Sequence, residues 1–318
     1  MEILLLALQI LAGMLIILPG CGLLIYSLIH IARFLRIKDY LIVFVIIGFA
    51  TALPELFLGL NAAAQNYSNI ALGNAIGTSI AAISLVAGIV AIFNKQFKTS
   101  KFFASHDLTH LSISIILLAI LASDGYLSRF DGLLLLISFA YYLFSVYASP
   151  GKYKLPDIKV DKRSLTIYSF VALIATLGIY FLSQAVIAST IKLAEITALP
   201  AFLISLTMLA PLGAVPELIF ELEINKKGFS QLTFGELFTS VLVNSTFIVG
   251  LIALVKPFTL ENNTLFYFST LFLILILLTF NAFLRSKQRL HWKEGVILVI
   301  AYLIYLGSNF LIYISSLD

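Results

Sequence analysis

Two glutamates each follow a proline inside a long apolar stretch, in Leu53-Pro54-Glu55 and Val215-Pro216-Glu217, and they lie 162 positions apart in a chain of 318 residues. A carboxylate in hydrocarbon costs at least about 2.5 kcal/mol on insertion scales, which makes its presence a sign of function. The neighbouring proline lacks a backbone donor and disturbs its helix, which frees carbonyl oxygens. Near Glu55 stand the hydroxyls of Thr51, four residues earlier, and of Thr78, in a motif that opens the next apolar stretch with Gly73, Asn74 and Gly77. Near Glu217 stand Ser240, in a stretch opening with Gly235 and Glu236, and Asn244 one turn further on. On regular helices Thr51 shares a face with Glu55, and Ser240 with Asn244. Carboxylate, hydroxyl, amide and freed carbonyl form an all-oxygen set, suited to hard cations such as Ca²⁺ or Na⁺ and not to metals that seek imidazole or thiolate. Two close carboxylates repel when empty, so protons compete with the cation. Interrupted helices at matching places in two halves are the pattern of a midplane site in a secondary transporter.

Each of these groups also has a plainer reading. Glu55 and Glu217 would serve as structural carboxylates bonded to neighbouring helices. Thr51 and Thr78 would bond their own helix backbone, and Ser240 and Asn244 would join helices. Glu221, one turn beyond Glu217, is either an auxiliary ligand or proton acceptor, or a group facing an aqueous vestibule. Glu223 reads as interfacial, beside Lys226. Glu236 either adds charge to that vestibule or complements a helix N-terminus. His30, His106, His110 and His291 show no metal-ligand spacing, and Cys21, the single cysteine, excludes an internal disulfide or a cysteine metal cluster. Nucleophile–base pairs, metal-histidine sets and phosphate-binding loops are absent from the sequence, so an enzyme is not expected and no cofactor is implied.

The elements that must position these residues are membrane helices. The chain is 61% hydrophobic and 11% charged, with mean hydropathy +1.05, against about 25% charged residues in a soluble domain. Apolar segments fall at 3–29, 40–64, 70–93, 108–123, 131–149, 165–190, 200–223, 231–255, 264–283 and 293–314. Most have the ~17–25 residues that a crossing helix needs; 108–123 is the shortest. The first lacks a basic leader and reads as a span, not a cleaved signal. With the N-terminus outside and the spans alternating, 17 of the 20 basic residues fall on the inside, leaving only Arg129, Lys192 and Lys256 outside. That bias predicts ten spans with both termini outside. Pro19-Gly20 in the first span would permit bending or sliding, or an ordinary kink. The polar stretch 150–163 divides the chain into five spans and five. Because five is odd, the halves enter the membrane in opposite senses, as inverted repeats. The expected architecture is therefore an all-α polytopic membrane protein of ten helices: a first repeat at 1–149, a cytoplasmic linker at 150–163 and a second repeat at 164–318. The net charge of +4 reflects this topology and not nucleic-acid binding.

The motif residues resemble the alpha repeats of the sodium/calcium exchanger, or cation/Ca²⁺ exchanger, superfamily, in its prokaryotic form. Its pattern is Gly-Thr-Ser-x-Pro-Glu followed by Gly-Asn-x-x-Gly-Ser, once in each half. The first motif region spans about 48–84, with Thr51-Ala52-Leu53-Pro54-Glu55 and then Gly73-Asn74-Ala75-Ile76-Gly77-Thr78; the second spans about 207–246, with Gly213-Ala214-Val215-Pro216-Glu217 and then Gly235-Glu236-Leu237-Phe238-Thr239-Ser240. The resemblance implies Glu55 and Glu217 as central cation ligands, with Thr51, Thr78, Ser240 and Asn244 beside them and Glu221 and Glu236 as auxiliaries. It implies an antiporter exchanging Ca²⁺ for Na⁺ or H⁺ by alternating access, in the plasma membrane, with the lipid bilayer and inorganic cations as partners and a monomer as the simplest form. The chain departs from the pattern at Ala52, Ala82, Gly213 and Ala214, where side chains of the flanking sodium sites are lost. These departures touch calcium binding less than sodium coupling, and they keep a second reading open: a cation-binding membrane protein that does not exchange, such as a sensor, accessory subunit or leak channel.

Overall fold

The computed structural model describes residues 2–38, 41–94, 96–98, 101–148, 162–226, 230–287 and 289–315. Apolar sequence uninterrupted by helix breakers gives long helices. α1 (Glu2–Phe34) is followed by a π-helical turn (Ile42–Ile47), then α2 (Gly48–Thr51) and α3 (Leu53–Ala64). α4 (Ser68–Ala81) continues through a π-helical turn (Ala82–Val86) into α5 (Ala87–Phe93), and α6 (Lys101–Leu121) and α7 (Arg129–Ala148) close the first half. α8 (Lys162–Thr197) and α9 (Ala201–Ile204) open the second half; a π-helical turn (Ser205–Leu209) leads into α10 (Ala210–Lys226). α11 (Ser230–Leu242), a π-helical turn (Val243–Ile248) and α12 (Val249–Val255) form one run, and α13 (Asn263–Lys287) and α14 (Trp292–Ser315) complete the chain.

These helices follow, among the described residues, the order of the expected apolar segments. Among the described residues, eight helices are long and apolar enough to cross a membrane, while Leu53–Ala64 and Thr109–Leu121 are shorter. The segment read as a linker lies almost wholly outside the described residues. The molecule is a multi-pass, nearly all-helical integral membrane protein.

Several features recur at the 162-residue offset of the two glutamates. The π-helical turns do so, at 42–47 and 205–209 and again at 82–86 and 243–248. Two short ribbons do so as well: β1 (Gln96–Lys98) pairs antiparallel with β4 (Arg289–His291), and β2 (Tyr126–Leu127) with β3 (Phe258–Thr259). Each ribbon ties one half to the other, one on the lysine-rich face and one on the opposite face. Two glycine crossings complete the pattern. A Cβ on Gly88 would come within 2.7 Å of the Gly295 carbonyl oxygen, and one on Gly132 within 2.6 Å of the Gly250 carbonyl oxygen. Small residues let helices meet backbone to backbone, which is how helices pack where lipid supplies no hydrophobic drive.

The two most enclosed spans are Ser68–Phe93 and Gly235–Val255, each with 78% of its apolar window inside the protein. They carry the two Gly-led motifs and form the centre. α1 and α8 run antiparallel at the periphery, with Glu2 paired to Lys192 at 2.7 Å at one end and Ser189 donating to Gln9. Further along, Gly13 sits under Val186 and Gly20 under Ile179. Pro19 lies inside an uninterrupted α1.

Candidate cation site

The chain breaks where proline predicts, but in one half only. Ala52 takes φ −86° and ψ 0° between α2 and α3, so Pro54 falls in the first turn of α3, where its missing N–H is no loss, and Glu55 sits in that same turn. The positive end of α3 therefore lies beside the Glu55 carboxylate. The interruption also separates Thr51 from Glu55, so the face that a regular helix would give them is not shared. In the second half α10 runs unbroken through Pro216; the helix absorbs the single missing donor.

Glu55 and Glu217 are both 2% exposed, and Glu221 and Glu236 are fully buried. No lysine or arginine is buried among the described residues. Four carboxylates are thus enclosed within the helical core, where each carries a desolvation cost of several kcal/mol.

Glu55 and Glu217 stand close enough for mutual Coulomb repulsion. Ser240 Oγ donates to Glu217 Oε1 in a short hydrogen bond. Asn244 Nδ2 donates to Thr78 Oγ1 at 3.0 Å, and Thr78 spends its own proton on the Asn74 carbonyl at 2.8 Å. Gly213 floors the site: a Cβ there would lie 2.7 Å from Glu55 Oε1 and 3.1 Å from Thr78 Cγ2. Glu55 Oε2, Glu217 Oε2, Asn244 Oδ1 and Asn74 Oδ1 are buried acceptors without a donor. The structure thus gathers Glu55, Thr78, Glu217, Ser240 and Asn244. Among the described residues no three His, Cys, Asp or Glu side chains converge on one point, so a divalent ion held here would complete its shell from hydroxyl, amide, carbonyl or water oxygens.

Thr51 belongs elsewhere. Its Oγ1 donates to Glu236 Oε1 at 2.7 Å and lies 3.1 Å from the Gly48 carbonyl. Glu236 is the seventh residue of α11 and fully enclosed, not a vestibule group or a helix-end acid, because α2 packs directly over it. Glu221 is enclosed as well, near Glu236, which goes against the vestibule alternative for it. Glu223 is the exposed acid of that helix and lines a cavity of about 260 Å³ with Leu18, Cys21, Pro216 and Ile219. His30 bonds the Tyr26 carbonyl at 2.7 Å and packs between Tyr26 and Tyr168, with no metal partner set around it. Sequence reasoning missed Gly213 as a positive part of the site. The loss of the motif threonine there reads as a lost ligand, but its absence is what leaves room for Glu55.

Gly213→Ala tests that seat. The colliding atom is the tip of a flexible side chain, so the fold should hold while Glu55 is displaced. Cation affinity in a binding assay should fall by about tenfold with little change in thermal stability.

A membrane helix bundle around buried acids, with interrupted or widened helices at its centre, shares its fold with solved cation exchangers. The sodium/calcium exchanger protein family matches residues 5–148 and 167–311, and this chain belongs to that family. It is 25% identical over 320 residues to the putative antiporter CaxA of Alkalimonas amylolytica, covering 96% of this chain and 98% of that one. It is 23% identical over 349 residues to the sodium/calcium exchanger MaX1 of Methanosarcina acetivorans, covering 95% and 98%. Among solved structures, the H⁺/Ca²⁺ exchanger CAX superposes with TM-score 0.75 at 19% identity over 97% of this chain and 88% of that one. The sodium-calcium exchanger NCX_Mj gives 0.69 at 22% identity over 97% and 99%. The family is one of transporters and not of enzymes.

Proposed function

We propose that this protein is a secondary antiporter that exchanges Ca²⁺ for Na⁺ or H⁺ by alternating access, with Glu55 and Glu217 as central ligands. The observation that carries this reading is the set of buried oxygens, Glu55 Oε2, Glu217 Oε2 and Asn244 Oδ1, that meet no donor among the described residues. The names of the relatives, exchangers of Ca²⁺ against Na⁺ or H⁺, support the ion class. Thr78 and Ser240 stand beside the ion, and Thr51 lies one layer away. The halves divide at the 150–163 segment, with the lysine-rich face cytoplasmic and both termini outside, as the bias of basic residues requires. The plasma membrane is the matching location.

An asymmetry between the halves supports alternating access. Toward the outer face Asn61 Nδ2 donates to Ser183 Oγ at 2.6 Å, and Phe57 meets Tyr180 edge-on at 5.8 Å. At the 162-residue offset the partners of Asn61 and Ser183 are Glu223 and Cys21, and these line the 260 Å³ cavity instead of touching. One side is shut where its counterpart is open.

The test is uptake of radiolabelled Ca²⁺ into proteoliposomes, with an outward Na⁺ gradient in one arm and an outward H⁺ gradient in the other. Uptake driven by one gradient establishes antiport and names the counter-ion. Ca²⁺ binding without driven uptake in either arm would overturn exchange in favour of a non-exchanging cation-binding protein.

A further inference from the structure

The ends of α1 and α8 that carry Glu2 and Thr197 leave a groove against the core. It has a volume of about 200 Å³ and lies between Ile3 and Ala7 of α1, Leu193 of α8, Leu203 and Met208 on the run leading into α10, and Phe310 of α14. Among the described residues no charged side chain lines it. Its two hydroxyls are spent on their own helices: Thr197 Oγ1 donates to the Leu193 carbonyl at 2.7 Å, and Thr207 Oγ1 to the Leu203 carbonyl at 2.8 Å. Such walls are poor in partners for water. An apolar cavity of about 150 Å³ stays dry and accepts an apolar guest, and this groove is larger.

Its surroundings decide what fills it. Leu4 and Leu8 on α1, Ile196 on α8 and Leu311 on α14 are exposed beside it, which on a membrane protein means contact with lipid tails. A polar rim caps the same helix ends. Glu2 pairs with Lys192 at 2.7 Å, Tyr67 donates to Glu195 at 2.8 Å, and Tyr313 donates to the Ala198 carbonyl at 3.3 Å. Tyrosines gather where membrane meets water. The groove therefore starts at headgroup level and opens onto surface that hydrocarbon already covers.

We infer that this groove seats an acyl chain of a membrane phospholipid, with the headgroup at the Tyr313 and Lys192 rim. The volume admits several methylene groups, and the flexible Met208 side chain adapts to their shape. The Glu2–Lys192 pair offers one charge of each sign to a zwitterionic headgroup. Met208 belongs to the π-helical turn Ser205–Leu209, from which α10 and Glu217 follow. The seated chain thus packs the seam between the peripheral α1–α8 pair and the start of the helix that carries Glu217. It shares no residue with the cation site.

The test is native mass spectrometry of protein stripped of lipid and then incubated in detergent with dioleoyl phosphatidylethanolamine, beside thermal melts with and without that lipid. Wild type should keep one phospholipid per chain after the detergent is removed, and the lipid should raise its melting temperature. Ala7→Phe fills the groove from α1, and Thr207→Leu fills it from the opposite wall. Each should lower the lipid-bound fraction at least fivefold and melt at the same temperature with and without lipid. Placing the two changes on separate helices guards against a folding defect in either. Leu8→Phe adds bulk one residue away, on the lipid-facing surface, and should keep the wild-type fraction. Wild-type retention in both groove variants would overturn the assignment, as would wild type that retains no phospholipid. Loss in Leu8→Phe equal to that in Ala7→Phe would mean general surface lipid and overturn it equally.

Discussion

Glu55→Gln should bring Ca²⁺ exchange down to the level of protein-free vesicles, and Glu217→Gln should do the same. Each substitution keeps shape and volume and removes one unit of charge from a site where charge does the binding. Calcium sites tune affinity over several decades by the number of charged ligands and by rigidity, so removing one of two central carboxylates should cost on the order of a hundredfold in apparent affinity. The two positions differ in their supports. Glu55 sits at a helix N-terminus over Gly213, and Glu217 is held by Ser240. Neither substitution threatens the fold, since replacing a buried carboxylate by an amide of the same shape lowers the burial cost. The check is radiolabelled Ca²⁺ flux beside a thermal melt: flux gone and melt unchanged or raised. Near-normal flux in either variant would remove that residue from the site.

The second large effect is on stability. Gly88→Val should destabilise the protein by about 2 kcal/mol or more, near the upper part of the overpacking range. A new Cβ at Gly88 meets the Gly295 carbonyl oxygen at 2.7 Å, Val299 Cγ2 at 2.8 Å and the Val299 nitrogen at 3.3 Å. Two of those are backbone atoms of a neighbouring helix, so relief requires the helix to move. Gly132→Val is the counterpart on the other side, against the Gly250 oxygen and the Leu254 nitrogen. Controls come from Gly178 and Gly307, where a Cβ would meet nothing within 4 Å. Changing either to alanine should be neutral or stabilising by up to about 1 kcal/mol, the ordinary helix-propensity gain. Melting curves in detergent decide the matter; equal melting of Gly88→Val and Gly178→Ala would show that the glycine crossing does not limit stability.

Much of this architecture was legible in the sequence because membrane helices announce themselves by length and hydropathy. The halves announced themselves through the spacing of Pro54-Glu55 and Pro216-Glu217. What could not be read was local and depended on neighbours. A proline marks a lost donor, but whether the helix breaks, as at Ala52, or continues, as through Pro216, depends on the packing around it. A hydroxyl four residues from an acid shares its face only on an unbroken helix, so Thr51 turned toward Glu236. Burial of Glu221 and Glu236 was hidden because sequence position places a residue along a helix axis and not around it. Gly213 could be seen only as a deviation until Glu55 was found resting over it.

One pair of contacts bears on the history of the chain. Gly48 receives Thr239, whose Cγ2 would lie 2.7 Å from an added Cβ, and at the 162-residue offset Gly77 receives Ala210, 2.5 Å from an added Cβ. The same crossing is filled from opposite partners on the two sides. Two copies of the first half would set Gly48 against Gly77 and leave a void. Two copies of the second would drive Ala210 into Thr239. At this crossing each half is therefore shaped to the other and not to a copy of itself.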